Sequence, residues 1–187
     1  MSEKYKGQYR IESARLKSWD YASSGIYFIT ICTDNRQHYF GEVENGKMQL
    51  SKIGVIAEEQ WLKTFQIRED MNLEMDEFVI MPNHFHAIII IGENKYNAID
   101  RDTMHQVETQ CIASVQKNNF GAQSKNLASI IRGFKIGVTK NARIINPEFT
   151  WQARFYDHII RNDESLSRIR DYIKSNPLKW AKDKFYE

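Results

Sequence analysis

Apolar and polar positions along the chain alternate between strand-like and helix-like blocks. Residues 25–33 form a β-branched and aromatic run after a Ser-Ser-Gly break and predict a central strand. Residues 39–43 and 47–50 flank Asn45-Gly46, a strong hairpin signal. Ser51 then predicts a helix cap. Behind it Ile53, Ile56, Gln60, Trp61 and Phe65, with Val55 and Leu62 beside them, give a largely apolar stripe at helical spacing, with Trp61 read as core. Residues 73–80 predict a strand, Met81-Pro82-Asn83 a turn, and residues 84–91 a buried strand that Gly92 ends. Residues 93–124 are polar and aperiodic and predict a long surface loop. Asn126 predicts the cap of a second helix, with Leu127, Ile130, Ile131, Phe134 and Val138 on one face. Its Gly133 and Gly137 cost about 1 kcal/mol each relative to Ala, which suggests a close approach, most simply in packing. Residues 149–160 predict a last strand. Asn162 or Asp163 then caps a final helix with Leu166, Ile169, Arg170 and Ile173 at helical spacing, ending before Pro177.

Leaving out the hairpin, this order is βαββαβ plus a helix. It predicts an α+β, ferredoxin-like fold: a four-stranded antiparallel sheet with two helices on one face and the other face free for a site and the last helix. One domain is expected over 1–187, with an N-terminal arm (1–24), the loop (93–124) and a C-terminal helix (163–176).

Chemistry concentrates on the fourth block. His84 and His86 are two apart in a strand, so both imidazoles point to one face, roughly 7 Å apart at the backbone, and Phe85 points into the core. Such a pair can be a hydrogen-bonded core pair, an acid–base pair or part of a metal site. A metal needs at least one more protein ligand. Tyr172 and Asn176 share a face of the last helix, and they supply a phenol able to act as a nucleophile and an oxygen ligand. Most of the nine tyrosines are expected simply to pack.

The net charge of +2 excludes little, but its distribution is uneven. Residues 54–79 carry seven acids against Lys63 and Arg68, whereas residues 117–147 carry six bases and no acid. A basic segment of this kind suits a polyanion-binding face or a solvated helix face. The arm interleaves Arg10, Arg15 and Lys17 with Tyr5, Tyr9 and Trp19, a composition that can grip phosphates and stack on bases or pack on the domain. Cys32 and Cys111 have no pairing or metal spacing, and the N-terminal residues have no apolar signal. With no run of membrane-spanning length, a cytoplasmic protein away from membranes is expected.

Three stretches together resemble the single-tyrosine transposases of the HUH class, and within them the IS200-like, REP-associated tyrosine transposase-like proteins. They are residues 15–30, Met81-Pro82-Asn83-His84-Phe85-His86, and residues 154–161 followed by 169–177. The resemblance covers nearly the whole chain. It implies that His84 and His86 hold a divalent metal ion, Mg²⁺ or Mn²⁺, that polarises a scissile DNA phosphate. It implies that Tyr172 attacks that phosphate to leave a 5′-phosphotyrosine and a free 3′-OH. Relatives carry a glutamine where this chain has Asn176, one methylene shorter, so Asn176 is the expected third ligand and His158 the alternative. Relatives act on single-stranded DNA with a hairpin, usually as homodimers, sometimes with the tyrosine helix completing the partner's site. Arg132, Lys135, Lys140 and Arg143, with Arg10, Arg15 and Lys17, are the expected DNA contacts. Two other readings compete: a non-catalytic nucleic-acid-binding ferredoxin-like protein, and a small metal hydrolase that uses the histidine strand alone.

Overall fold

A computed structural model describes residue 16, residues 18–98 and 124–186, and the backbone of two short strands, β1 (Lys4–Tyr5) and β2 (Gln8–Tyr9). Arg10, Arg15, Lys17, His105 and Cys111 lie outside the described residues.

The main sheet holds β3 (Gly25–Cys32), β6 (Leu73–Met81), β7 (His84–Ile91) and β8 (Tyr156–Ile160) in the order β6-β7-β3-β8, every pair antiparallel. This is the expected ferredoxin-like arrangement. A separate hairpin of β4 (Gly41–Glu44) and β5 (Lys47–Leu50) turns at Asn45-Gly46, where both residues have positive φ.

One sheet face is covered by α1 (Lys52–Gln66) and α2 (Leu127–Ile145). Ser51 caps α1 by accepting from the Gly54 amide at 3.1 Å. The buried stripe of α1 runs Ile53, Ala57, Trp61 and Thr64. Val55 and Leu62 face solvent, because their positions fall outside the arc that meets the sheet. Asn126 caps α2 in a reciprocal box with Ser129. The α2 stripe is buried as expected, and Trp61 meets Phe85 and Phe134 edge-on with ring centres 5.0 and 5.4 Å apart. A Cβ on Gly133 would collide with the Arg68 guanidinium and one on Gly137 with the Gln60 amide, so both glycines accommodate side chains from α1 and the segment just after it.

The last strand is shorter than the apolar pattern suggests. Residues before Tyr156 are not in the ladder, apart from a single bridge between Thr33 and Trp151. Phe149 and Trp151 instead pack with Phe40 at the end of the core, so their apolarity reflects a loop buried by aromatic contacts.

The other sheet face carries α3 (Asp163–Ser175), capped by Asn162, which accepts from the Ser165 amide at 2.8 Å. Leu166 and Ile173 bury against Phe28, Ile88 and Ile160. The chain then turns through a short 3-10 segment (Pro177–Lys182) and runs back across this face.

Candidate functional site

Met81 pairs with His84, so Pro82-Asn83 is a two-residue turn and His84 opens β7 at the start of the ladder. Strand alternation places Phe85, Ala87 and Ile89 in the helix-covered core and His84, His86 and Ile88 on the α3 face. The imidazole centres are 4.5 Å apart.

Each ring is held at Nδ1. His84 Nδ1 lies 2.9 Å from Asn83 Oδ1, while Asn83 Nδ2 donates to the Phe185 carbonyl at 2.6 Å. The Asn83 oxygen is therefore the acceptor, Nδ1–H of His84 is the donor, and His84 Nε2 keeps its lone pair. On β3, Thr30 pairs directly with His86, and its hydroxyl lies 2.8 Å from His86 Nδ1. With Nδ1–H donating to Thr30, His86 Nε2 accepts the Tyr172 hydroxyl at 3.1 Å. The Asn83 oxygen fixes the His84 tautomer, whereas the two hydroxyls at His86 accommodate either tautomer; the one with Nδ1–H toward Thr30 leaves both Nε2 atoms as lone-pair donors.

Burial keeps both rings neutral. His84 is fully buried and His86 is 1% exposed. Burial, with the neighbouring His86, holds His84 well below the ordinary histidine range, and burial followed by Lys184 brings His86 down to about 3. Burial and the Asp183 carboxylate raise the Tyr172 phenol above its usual value, with Asn176 acting in the opposite direction. The phenol is protonated at neutral pH.

Asn176 follows α3 and is 2% exposed. Its amide nitrogen donates to Asp183 at 3.4 Å. Its Oδ1 and His84 Nε2 are buried with no hydrogen-bond partner among the described residues. These two orphaned lone-pair atoms, with the second imidazole, are nitrogen and oxygen donors of the kind a divalent cation takes. His158 does not join them. It pairs with Phe28 on the edge strand β8 and is exposed, and no group of three His, Cys, Asp or Glu suited to a metal occurs among the described residues.

The C-terminal segment covers the pair. The Phe185 ring lies 4.5 Å from His84 and 6.0 Å from His86, and Trp180 lies 5.8 Å from His84. Arg36 donates to the Lys184 carbonyl at 3.1 Å and, with Asn83, ties the segment down.

The structure brings His84, His86, Tyr172 and Asn176 together within one chain. The bases of α2 are elsewhere, on the opposite side of the sheet. Arg132, Lys140 and Arg143 border an open cleft of about 650 Å³ with apolar walls that include Ile131, Ile136 and Phe155. Lys135 is committed: its ammonium donates to the Gln152 and Arg154 carbonyls at 2.7 and 3.0 Å, and burial brings it down to about 8. Sequence reasoning missed Thr30, Asn83 and Phe185. Thr30 is a polar residue in an otherwise apolar strand, which is a usable signal, whereas Phe185 gives none.

No family model matches the chain. An uncharacterised Haemophilus influenzae protein is 38% identical over 193 residues, spanning all of this chain and 99% of its own length. A second protein of that organism, assigned to the REP-associated tyrosine transposases, is 27% identical over 161 residues, covering 86% of this chain and 74% of the relative. The solved structure of a REP-associated tyrosine transposase bound to a REP hairpin shares the fold, with a TM-score of 0.59 at 21% identity over 94% of this chain and 77% of that one. The chain thus has homologues among the REP-associated tyrosine transposases and shares their fold. No helix among the described residues is long and apolar enough to cross a membrane.

Proposed function

We propose that the protein is a DNA strand transferase that cuts and rejoins single-stranded DNA bearing a hairpin, with Tyr172 as nucleophile, in the manner of the HUH transposases. The observation that carries the reading is the Tyr172 hydroxyl 3.1 Å from His86 Nε2, beside the unpartnered His84 Nε2 and Asn176 Oδ1. The hairpin bound to the solved transposase that shares this fold supports DNA as the partner.

His84 and His86 through Nε2, and Asn176 through Oδ1, would hold the cation, and two nitrogen ligands suit Mn²⁺ better than Mg²⁺. When bound, the ion supplies positive charge where a phosphoryl group gains negative charge. Asn83 fixes the His84 tautomer so that a lone pair faces the site, and Thr30 can accept Nδ1–H of His86 so that its Nε2 would do the same. His86 Nε2 accepts the Tyr172 hydroxyl here, and as a ligand of a bound cation it would no longer do so, which would leave the Tyr172 oxygen free to face the phosphate. That oxygen forms a bond to phosphorus as the bond from phosphorus to the 3′ oxygen breaks. The products are a 5′-phosphotyrosine and a 3′-OH, which carries the proton that the phenol gives up. The reverse attack by a 3′-OH rejoins the strand with no external energy source. Arg132, Lys140 and Arg143, with Arg10, Arg15 and Lys17 of the arm, are the proposed backbone contacts. Phe185 must move aside for a phosphate to reach the pair.

The test is incubation with hairpin-bearing single-stranded DNA from the flanks of the native gene and Mn²⁺ or Mg²⁺, followed by a denaturing gel. A metal-dependent protein–DNA band that disappears in Tyr172→Phe is expected. Tight binding with no such band would favour the non-catalytic nucleic-acid-binding alternative.

A further inference from the structure

Strand β6 has an irregularity where it meets α3. Met75 pairs with Ile89 and Phe78 with Ala87, so Asp76 and Glu77 together oppose the single residue Ile88. In a regular strand, consecutive side chains point to opposite faces. This bulge interrupts the alternation. Ile88 lies in the cluster that α3 covers, and both acids meet α3. Arg170 forks onto Asp76, with Nε at 2.9 and 3.2 Å from its two oxygens and Nη2 at 2.5 Å. Lys174 reaches Glu77 at 2.9 Å. The Asp76 carboxylate also accepts from the Glu77 amide at 2.7 Å, which ties the bulge backbone to the same anion.

Exposed ion pairs usually contribute little. This pair differs in geometry and setting: the contact is bidentate, and the Asp76 side chain is only 9% exposed. The apolar seat of α3 is also small, with Leu166 and Ile173 its only buried residues. Such a seat permits sliding and rotation that directional contacts forbid. Arg170 and Lys174 are one turn apart on the helix, and Tyr172 lies between them in sequence with its hydroxyl on His86.

We propose that the bulge acids Asp76 and Glu77, gripping Arg170 and Lys174, are positioning residues that set where the Tyr172 oxygen sits and keep the tyrosine helix on its own chain. The inference rests on Tyr172 being the nucleophile. Asp76→Arg and Arg170→Asp are each compared with the double swap Asp76→Arg/Arg170→Asp. The readouts are single-turnover adduct formation, DNA affinity and amide exchange across residues 166–175. Each single variant is expected to slow adduct formation by about tenfold to a hundredfold, the scale that misplacement of a reacting group by about an ångström brings. DNA affinity is expected to stay unchanged and α3 exchange to rise, and the swap is expected to restore both rate and protection. Singles that react at the wild-type rate, or a swap that rescues nothing while the fold is intact, would overturn the proposal. If the wild-type protein forms no adduct, the nucleophile assignment has failed. Exchange in the singles and the swap then still decides whether these residues hold the helix.

Discussion

Burial of His86 makes acid stability a direct readout of the site. His86 is 1% exposed and burial brings it down to about 3, while in the unfolded chain it titrates at about 6.5. Between those values the unfolded chain binds one more proton than the folded one, so this residue makes stability rise with pH and fall on acidification. From pH 7 to pH 5 the unfolded histidine goes from mostly neutral to almost fully charged, which costs the folded state about 2 kcal/mol. Urea unfolding of the metal-free protein at the two pH values measures the loss, and His86→Gln removes this residue's share. His84 is present in both proteins and cancels. Wild type should lose about 2 kcal/mol more than the variant over this interval. Equal losses would refute the claim that His86 is held neutral by burial.

Three further outcomes are expected. Phe185→Ala should speed carbethoxylation of His84 and His86 by diethyl pyrocarbonate, because that ring sits 4.5 Å from His84, and an unchanged rate would count against the tail as their cover. Asn126→Ala removes the cap acceptor 3.0 Å from the Ser129 amide and should cost about 1 kcal/mol in chemical denaturation. The Arg170 guanidinium holds the Asp76 carboxyl below the usual carboxylate range, so its contribution is present above about pH 4 and lost as pH falls through the lowered folded value. Asp76→Asn should therefore narrow its stability gap to wild type as the solution is acidified below about pH 4.

Much of this arrangement was legible from local signals. Strand and helix periods ordered the ferredoxin-like elements, and two-residue spacing put His84 and His86 on one face. One turn of helix put Tyr172 beside Asn176. What was not legible depends on contacts distant in sequence. Phe149 and Trp151 look like strand residues but fill a core end next to Phe40. Thr30 becomes the partner of His86 only through the β3–β7 register. Lys135 reads as a free cation until the loop carbonyls of Gln152 and Arg154 are placed around it. Phe185 is 99 residues after His86 in sequence, and nothing in its neighbourhood announces that it covers the pair.

The central claim is that Tyr172 is the nucleophile, and locating the covalent attachment tests it most directly. The protein is trapped on hairpin-bearing single-stranded DNA with Mn²⁺, treated with nuclease and trypsin, and analysed by mass spectrometry. Trypsin places Tyr172 in the short peptide spanning 171–174, bounded by Arg170 and Lys174. A nucleotide mass on that peptide, absent without metal, is the predicted result. A nucleotide on a different tyrosine, such as Tyr156, or strand cleavage with no protein adduct, would contradict the account.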